Sequence, residues 1–548
     1  MRFLPASDTA LLVELDDLAQ TMALYRHVVA QQVPGVQDLV PAARTLLIHF
    51  DPHTTHAAQL IEVLRALVLP AAQTQHGTEG VEGRLVEIPV HYNGEDLTDV
   101  AELLGISVEQ VIARHTAQPY DAAFAGFAPG FVYLSGGANF QVPRRKSPRT
   151  RVPAGSVALG GNFSAVYPSA SPGGWQLLGV TEVALWDLQR AEPAYIQPGF
   201  RVQFVDAARQ GVQVPAAALP KKQSNRPIAQ VEKALPAIEL VAVGLQTLVQ
   251  DGGRHGMSGL GISASGALDS VAMHQANRLV GNPAHSPVLE NVLGQLRMRS
   301  HGPTTIAVTG AEVALTLHSA SAGAWAVPSH APVALNDSDV LQLQAPTAGV
   351  RNYIAVRGGW QVEPVLGSCA TDTLALIGPP PLQAGQRIPV GAAIPPGQLR
   401  AVEPDSALAP ALPRAGEVVV LDVLLGPRTD WFTEEALQTF VDQEWRVTPQ
   451  SNRVGIRVEG SQPLARSRTD ELPSEGTVAG AIQVPINGQP VLFLADHPLT
   501  GGYPVIGAIA SYHLPLAAQI PVGCRIRFQV VAPFFDQHGT QRLSTQPA

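Results

Sequence analysis

Short apolar runs broken by Gly and Pro dominate this chain, and helical periodicity surfaces only in islands. Alternating or short continuous apolar patterns read as strands, whereas apolar residues three and four apart read as one face of a helix. Near the start, the pattern predicts a strand over 10–15, a helix over 18–29 and strands over 36–40 and 45–50. A second helix over 54–68 sets Leu60, Leu64, Leu67 and Val68 on one face, with Thr54 as its expected N-cap. Residues 1–82 therefore read as a small α+β sandwich. Residues 83–210 restart with a strand, Leu85-Val-Glu-Ile-Pro-Val-His91, then two short helices, then strands and turns. The second of these helices opens on a capping box, Ser107-Val-Glu-Gln110.

Residues 211–236, rich in Pro, Ala, Lys and Gln, lack periodicity and read as a linker. A first β-rich domain is expected over 237–403, with one helix at 269–280 closed by Gly281-Asn282 as a left-handed cap. A Pro/Ala hinge at 404–413 leads to a second β-rich domain over 414–531. Its helix opens at Thr433, with Glu434 and Glu435 well placed for the helix dipole. Residues 532–548 read as a loose tail.

Two stretches of this β-rich sequence repeat one frame. Val152-Pro-Ala-Gly-Ser-Val-Ala-Leu-Gly-Gly161 leads to Ser171-Pro-Gly-Gly-Trp175, and Gly480-Ala-Ile-Gln-Val-Pro-Ile-Asn-Gly488 leads to Thr500-Gly-Gly-Tyr-Pro504. Paired glycines let a backbone or ligand approach closely, and the aromatic that follows supplies a flat wall. Alone, each pair reads as a tight hairpin; together they predict two related β-domains facing a shared site. Candidate ligand contacts are Pro172, Gly173, Gly174 and Trp175 at the first corner. At the second they are Thr500, Gly501, Gly502 and Tyr503, with Gln483 and Asp496 as polar contacts.

A net charge of −9 and a charged fraction of 15% argue against nucleic acid as a partner. No apolar run approaches the roughly 20 residues a membrane helix needs, and Met1-Arg-Phe-Leu-Pro-Ala-Ser-Asp-Thr9 has no signal-peptide core. Two cysteines, Cys369 and Cys524, make no disulfide framework, so a reducing, cytoplasmic setting is expected. One basic stretch, Arg144-Arg-Lys-Ser-Pro-Arg-Thr-Arg151, precedes the first corner. It reads either as a solvated loop or, through Arg149 and Arg151, as an anion-binding rim lining a cleft.

Phosphate-loop, dinucleotide, zinc-protease and nucleophile-elbow motifs are absent, and no metal ligand set is predicted. What remains is an ordered series: Gly126-Phe-Ala-Pro-Gly-Phe-Val-Tyr-Leu134, Arg149-Thr-Arg-Val-Pro153, Gln250-Asp-Gly-Gly-Arg-His-Gly256 and Ser265-Gly-Ala-Leu-Asp269. Ala276-Asn-Arg-Leu-Val-Gly-Asn282, Leu289-Glu290, Leu366-Gly-Ser368, Thr371-Asp372 and Arg453-Val-Gly455 continue it to the second corner. By these motifs the chain resembles a fusion of two 5-oxoprolinase components, the B-type (to about residue 210) and the C-type (about 236–531). Those components, also described as a histidine-kinase inhibitor and its antagonist and as the parts of an allophanate hydrolase, are similar to the carboxyltransferase part of urea carboxylase.

The resemblance implies a mainly β protein with α+β parts, built on tandem cyclophilin-like β-barrels. It also implies ATP-dependent opening of 5-oxoproline to glutamate, with Mg and a separate A-type 5-oxoprolinase component as partner. An unactivated lactam resists water; phosphorylating its oxygen calls for cations at the phosphoryl group and donors at the oxyanion. On that footing Arg453, Asp496 and Gln483 are the expected catalytic residues, and Arg149, Arg151 and Arg254 the nucleotide or anion-binding ones. Arg254 with Asp251 reads equally as a local ion pair. His497 reads first as part of a surface turn and second as a base, and His91 as a packed histidine.

The sequence departs from the family pattern at Cys369, where an arginine is usual, at Gly378-Pro-Pro-Pro-Leu382 (Pro380 at its centre), and at His513, where an acid is usual. A shifted substrate or a regulatory role therefore stays open. The alternatives are a binding protein for a sensor histidine kinase and a biotin-dependent carboxyltransferase. Against the latter, none of Lys146, Lys221, Lys222 and Lys233 lies in a biotin-type hairpin, so no biotin is expected on this chain.

Overall fold

A computed structural model describes residues 1–71, 83–138, 140–145, 147–210, 236–391 and 411–531. The expected tail at 532–548, the linker apart from Pro236, and most of the 404–413 hinge lie outside the described residues, as do all four lysines.

The N-terminal unit is a four-stranded antiparallel sheet in the order Arg2–Ser7, Ala10–Glu14, Thr45–Phe50, Val36–Pro41. Helices Leu18–Gln31 and Ala57–Ala71 cover one face, burying Leu24, Val28, Leu60 and Leu64 against Leu11, Val13, Leu46 and Ile48. The second helix starts later than its pattern predicts. Thr54 Oγ1 donates to Asp51 Oδ2 at 2.8 Å, and His56 Nδ1 takes the capping role by accepting from Gln59 N at 3.2 Å. The side chain of Val68 lies outside the described residues.

Residues 85–206 form a seven-stranded barrel. Its strand order is Gln176–Val180, Ser156–Gly160, Phe163–Val166, Val132–Gly136, Tyr120–Ala125, Arg201–Asp206, Leu85–Val90. A backbone bridge between His91 and Val180 closes the ring, and the His91 side chain, expected to be packed, is exposed because the strand edge there faces outward. Ser107 makes both bonds of the expected capping box at the head of helix Val108–His115. A second, closed barrel runs Val418–Leu425, Val505–Ile509, Ala481–Gln483, Val491–Phe493, Gly455–Glu459, Trp445–Val447, Arg525–Val530. In each barrel the first and last strands in sequence pair in parallel, whereas neighbours such as Ser156–Gly160 with Phe163–Val166 and Gly455–Glu459 with Val491–Phe493 are antiparallel. The two rings share one circular order.

That identity carries the repeated frame. Gly174-Trp175 and Gly502-Tyr503 each run into the strand that pairs with the frame's first strand. Each corner also carries a two-stranded arm: Ser171–Gly173 with Arg149–Val152, and Thr500–Gly501 with Glu475–Gly476.

Between the barrels in sequence, residues 237–390 fold as two packed sheets of six and five strands. Leu240, Leu289, Met298, Ile306, Ile354 and Trp360 fill the space between them. Helix Ser270–Val280 covers the outer face of the smaller sheet, with Asp269 as N-cap and Gly281 (φ 81°) as left-handed C-cap.

The halves interlock. The second face of the N-terminal sheet, with Leu4, Leu12, Val40 and Leu47, packs on Val478, Phe493, Leu499 and Val505 of the second barrel. Trp186 and Ala194 of the first barrel pack against Ile262 and Ile377 of the second half. Such apolar faces make each half incomplete alone, since exposed patches of this kind favour association. No helix among the described residues is long and apolar enough to cross a membrane.

Candidate functional site at the junction of the two halves

The candidate catalytic pair Arg453 and Asp496 is fully buried and fully engaged. Arg453 donates Nε to Asp496 Oδ2 (3.0 Å), Nη2 to Asp496 Oδ1 (2.9 Å) and to Gly266 O (2.6 Å), and Nη1 to Glu290 Oε1 (2.6 Å). Asp496 further accepts from Ser265 Oγ (2.6 Å), Thr373 N (2.9 Å) and Thr373 Oγ1 (2.7 Å). Burial opposes the Arg453 charge, but Asp496 and Glu290 outweigh it and raise its pKa. Burial likewise raises Asp496, and Arg453 and these donors hold it below the ordinary carboxylate range. The fork locks the second barrel to the two-sheet domain. Sequence reasoning missed Glu290, Ser265 and Thr373 as its partners, although all three flank or belong to the motifs.

Arg254 lies in the same interior, 2% exposed. Its Nη2 donates to Ala370 O, and among the described residues its Nε and Nη1 have no hydrogen-bond partner. The expected pairing with Asp251 is not made. Asp251 instead accepts from Ser368 Oγ (2.6 Å), Cys369 N (2.6 Å) and Gly253 N (2.8 Å), which fold the Gly-rich turn onto the loop carrying Cys369. Burial pushes the Cys369 thiol up to about 11, so it stays protonated. Beside this group, burial and then the Asp496 charge push Asp372 up to about 7. His497, expected first in a surface turn, is buried. It stacks on Phe493 with centroids 6.0 Å apart, its Nδ1 lies 2.9 Å from Pro498 O, and burial lowers its pKa to about 4. His513, in place of an acid, accepts from Asp422 N through Nδ1 at 2.9 Å.

The corners differ in what their aromatics do. Trp175 is 6% exposed and packs edge-on to Phe131 and Tyr133, each 5.5 Å away, because Gly160 clears space for its ring. It braces a core rather than forming an open wall. A side chain on Gly173 would collide with the Tyr167 hydroxyl, Gly174 lies against Pro148, and Pro172 is exposed. Tyr503 is only half-buried, and Arg466 sits over its ring at 5.7 Å. Gln483 Nε2 donates to Tyr503 O at 3.2 Å and flanks Gly501.

The first half completes this second corner. The Tyr133 hydroxyl lies 3.1 Å from Ser474 Oγ and 3.3 Å from Thr500 Oγ1, and Gly126 leaves room for the Thr500 side chain. Arg144 donates Nη2 to Ser474 Oγ at 3.1 Å, places Nε 3.6 Å from Glu471 Oε1, and turns Nη1 onto Gly502. Arg144, Tyr133 and Ser474 were missed; the signals available were the basic stretch that begins at Arg144 and the motif that contains Tyr133. In the same stretch Arg149 donates to both oxygens of Asp96 (2.8 and 2.9 Å) and to Glu95 (3.0 Å), and Arg145 donates to Asp96 at 2.5 Å. Arg151 is exposed. Arg145 and Ser147 line an open cavity of about 650 Å³ that also carries Asp99 and Glu102. Arg149, Arg151 and Arg254 thus share no partner, and the paired arginines do not fit a triphosphate, which needs uncompensated positive charge. Among the described residues no group of three His, Cys, Asp or Glu could hold a metal ion.

Residues 1–196 match the family description "Carboxyltransferase domain, subdomain C and D", and residues 260–530 match "Carboxyltransferase domain, subdomain A and B". The chain is 38% identical over 296 residues to the C-type 5-oxoprolinase component of Escherichia coli K12, covering 53% of this chain and 90% of that protein. It is 36% identical over 214 residues to the B-type 5-oxoprolinase component of Haemophilus influenzae, covering 37% of this chain and 97% of that protein. The crystal structure of TTHA0988 superposes with a TM-score of 0.79 at 33% identity, covering 95% of this chain and 99% of that one. The chain belongs to the carboxyltransferase-domain family of the B-type and C-type 5-oxoprolinase components, with the B-like and C-like parts joined in that order in one polypeptide.

Proposed function

We propose that this chain is the B–C component of an ATP-dependent 5-oxoprolinase, opening the lactam of 5-oxoproline to glutamate together with an A-type partner protein. The observation that carries this reading is the near-complete match of each half to a separate 5-oxoprolinase component. The contact of the two halves around Thr500 and Gly502 adds support, because residues from both reach one corner. In this reading the corner binds and orients the lactam, with Gly501 and Gly502 allowing close approach, Tyr503 as wall and Gln483 supporting the strand. Arg453 and Asp496 act as positioning residues, because their hydrogen-bonding capacity is already committed. ATP with Mg would supply the phosphoryl group that activates the amide oxygen. Arg149 is committed to Asp96 and Glu95, and Arg145 shares that same Asp96, so their charge is largely compensated and nucleotide binding is assigned to the complex with the A-type partner.

Carboxyl transfer is the second reading, favoured by the carboxyltransferase descriptions that match both halves. The sensor histidine kinase gains no support from the relatives. The test is glutamate release and ATP turnover with 5-oxoproline, with and without an A-type protein. Glutamate formed only with both proteins and ATP supports the hydrolase. No glutamate, with carboxyl transfer to or from free biotin, supports the second reading instead.

A further inference from the structure

Arg144 belongs to the first half, yet its guanidinium ends at Gly502 of the second. Ser474 holds Nη2 at 3.1 Å, and Ser474 is itself 3.1 Å from the Tyr133 hydroxyl, so the arginine is steered from both sides of the junction. Nη1 lies where a Cβ on residue 502 would stand, a position only glycine leaves open. One residue along, Arg466 lies over Tyr503 with Nη2 donating to Val484 O at 2.6 Å. Its Nε is buried and, among the described residues, has no hydrogen-bond partner. One guanidinium thus lies against Gly502 and a second over the ring of the next residue, Tyr503. The nearby acid is Glu471, whose side chain is 45% exposed, so water screens its charge.

We propose that Arg144, supplied by the B-like half, recognises the carboxylate of the lactam substrate at the Gly502–Tyr503 corner of the C-like half. This rests on the reading of the chain as a 5-oxoprolinase component and names the group that reads the acid. A planar guanidinium matches a carboxylate in charge and geometry, and a lysine on a similar stem does not. Arg466 adds a second donor beside the ring. The arrangement also explains a site divided between the two halves: neither alone presents both the arginine and the open backbone.

The test uses the full chain with its A-type partner and ATP, on 5-oxoproline and on 2-pyrrolidinone, the same ring without the carboxylate. Arg144→Gln should raise KM for 5-oxoproline about tenfold or more with kcat within about twofold, while leaving 2-pyrrolidinone turnover unchanged. Arg144→Lys should recover only part of the loss, and thermal melts should confirm that both variants fold. Equal losses on both lactams, or none on either, would overturn the assignment. Calorimetric binding of the two lactams to the chain without nucleotide separates the failures. Arg144-dependent binding of 5-oxoproline without hydrolysis by the wild type sinks the proposed reaction and keeps the carboxylate site. Hydrolysis by the wild type with KM unchanged in Arg144→Gln does the reverse.

Discussion

The hydroxyls of Tyr133 and Thr500 stand 3.3 Å apart although 367 positions separate them in sequence. One belongs to a strand of the first barrel and the other to the arm of the second, so the pair marks the point where two duplicated barrels meet. Gly126 makes the approach possible, since any side chain there would strike Thr500.

This contact and the apolar faces around it should hold the halves together without a covalent link. A protease site placed between residues 211 and 235, once cut, should leave two fragments that elute as one species in size exclusion. Separate elution of folded fragments would show that the linker, not the interface, keeps them together.

Gly502 should matter for ligand rather than for folding. Gly502→Ala would push Arg144 Nη1 aside, and Arg144 is the end of a flexible chain that can swing away. Binding of the lactam acid should fall about tenfold or more, with Tm within a few degrees of wild type. A collapse of Tm would instead assign the glycine to the turn.

The buried fork predicts the opposite balance. Arg453→Ala removes the only ion-pair partner of Asp496 among the described residues and leaves Glu290 with Arg351 alone at 3.7 Å, both carboxylates at 0% exposure. The loss should be about 3–5 kcal/mol in denaturant titrations, the usual cost of breaking a buried ion pair from one side. A change below about 1 kcal/mol would mean that water or Arg254 replaces it.

Asp372 should give stability a negative slope with pH. Its carboxyl is raised from 3.8 to about 7, first by burial and then by Asp496. The folded chain therefore binds more protons than the unfolded chain across that window. The contribution is present below 3.8 and lost as pH rises through about 7. Asp372→Asn keeps an acceptor for Leu374 N and Ala375 N and removes the titration. The stability of wild type relative to this variant should fall between about pH 4 and about pH 7, and parallel curves would refute the assignment.

His497 should slope the other way. Burial lowers it from 6.5 to about 4, so the unfolded chain binds the extra proton between those values. Its contribution is present above 6.5 and lost as pH falls toward 4. His497→Gln should flatten the acid limb of the melting curve without altering its alkaline limb.

The repeated frame before Trp175 and Tyr503, the capping box at Ser107, the left-handed cap at Gly281, the helix opening at Thr433, and the mainly β class were legible from local pattern alone. Each depends on neighbours in sequence: strand alternation, a side chain accepting from a backbone N–H three residues on, or two glycines in a row. The N-cap at Thr54 failed for a local reason too, since Asp51 captured the threonine and left His56 to cap. The sequence could not decide which members of the repeated frame stay open. Gly160 made room for Trp175 in a core, while Arg144 from the other half came to Gly502. Nor could it show that Arg453 and Asp496 are saturated, because their partners Glu290, Ser265 and Thr373 lie on other elements. Local propensity is fixed by adjacent residues. The availability of a charge depends on which distant groups the packed halves bring within hydrogen-bonding distance, and only the tertiary structure sets that.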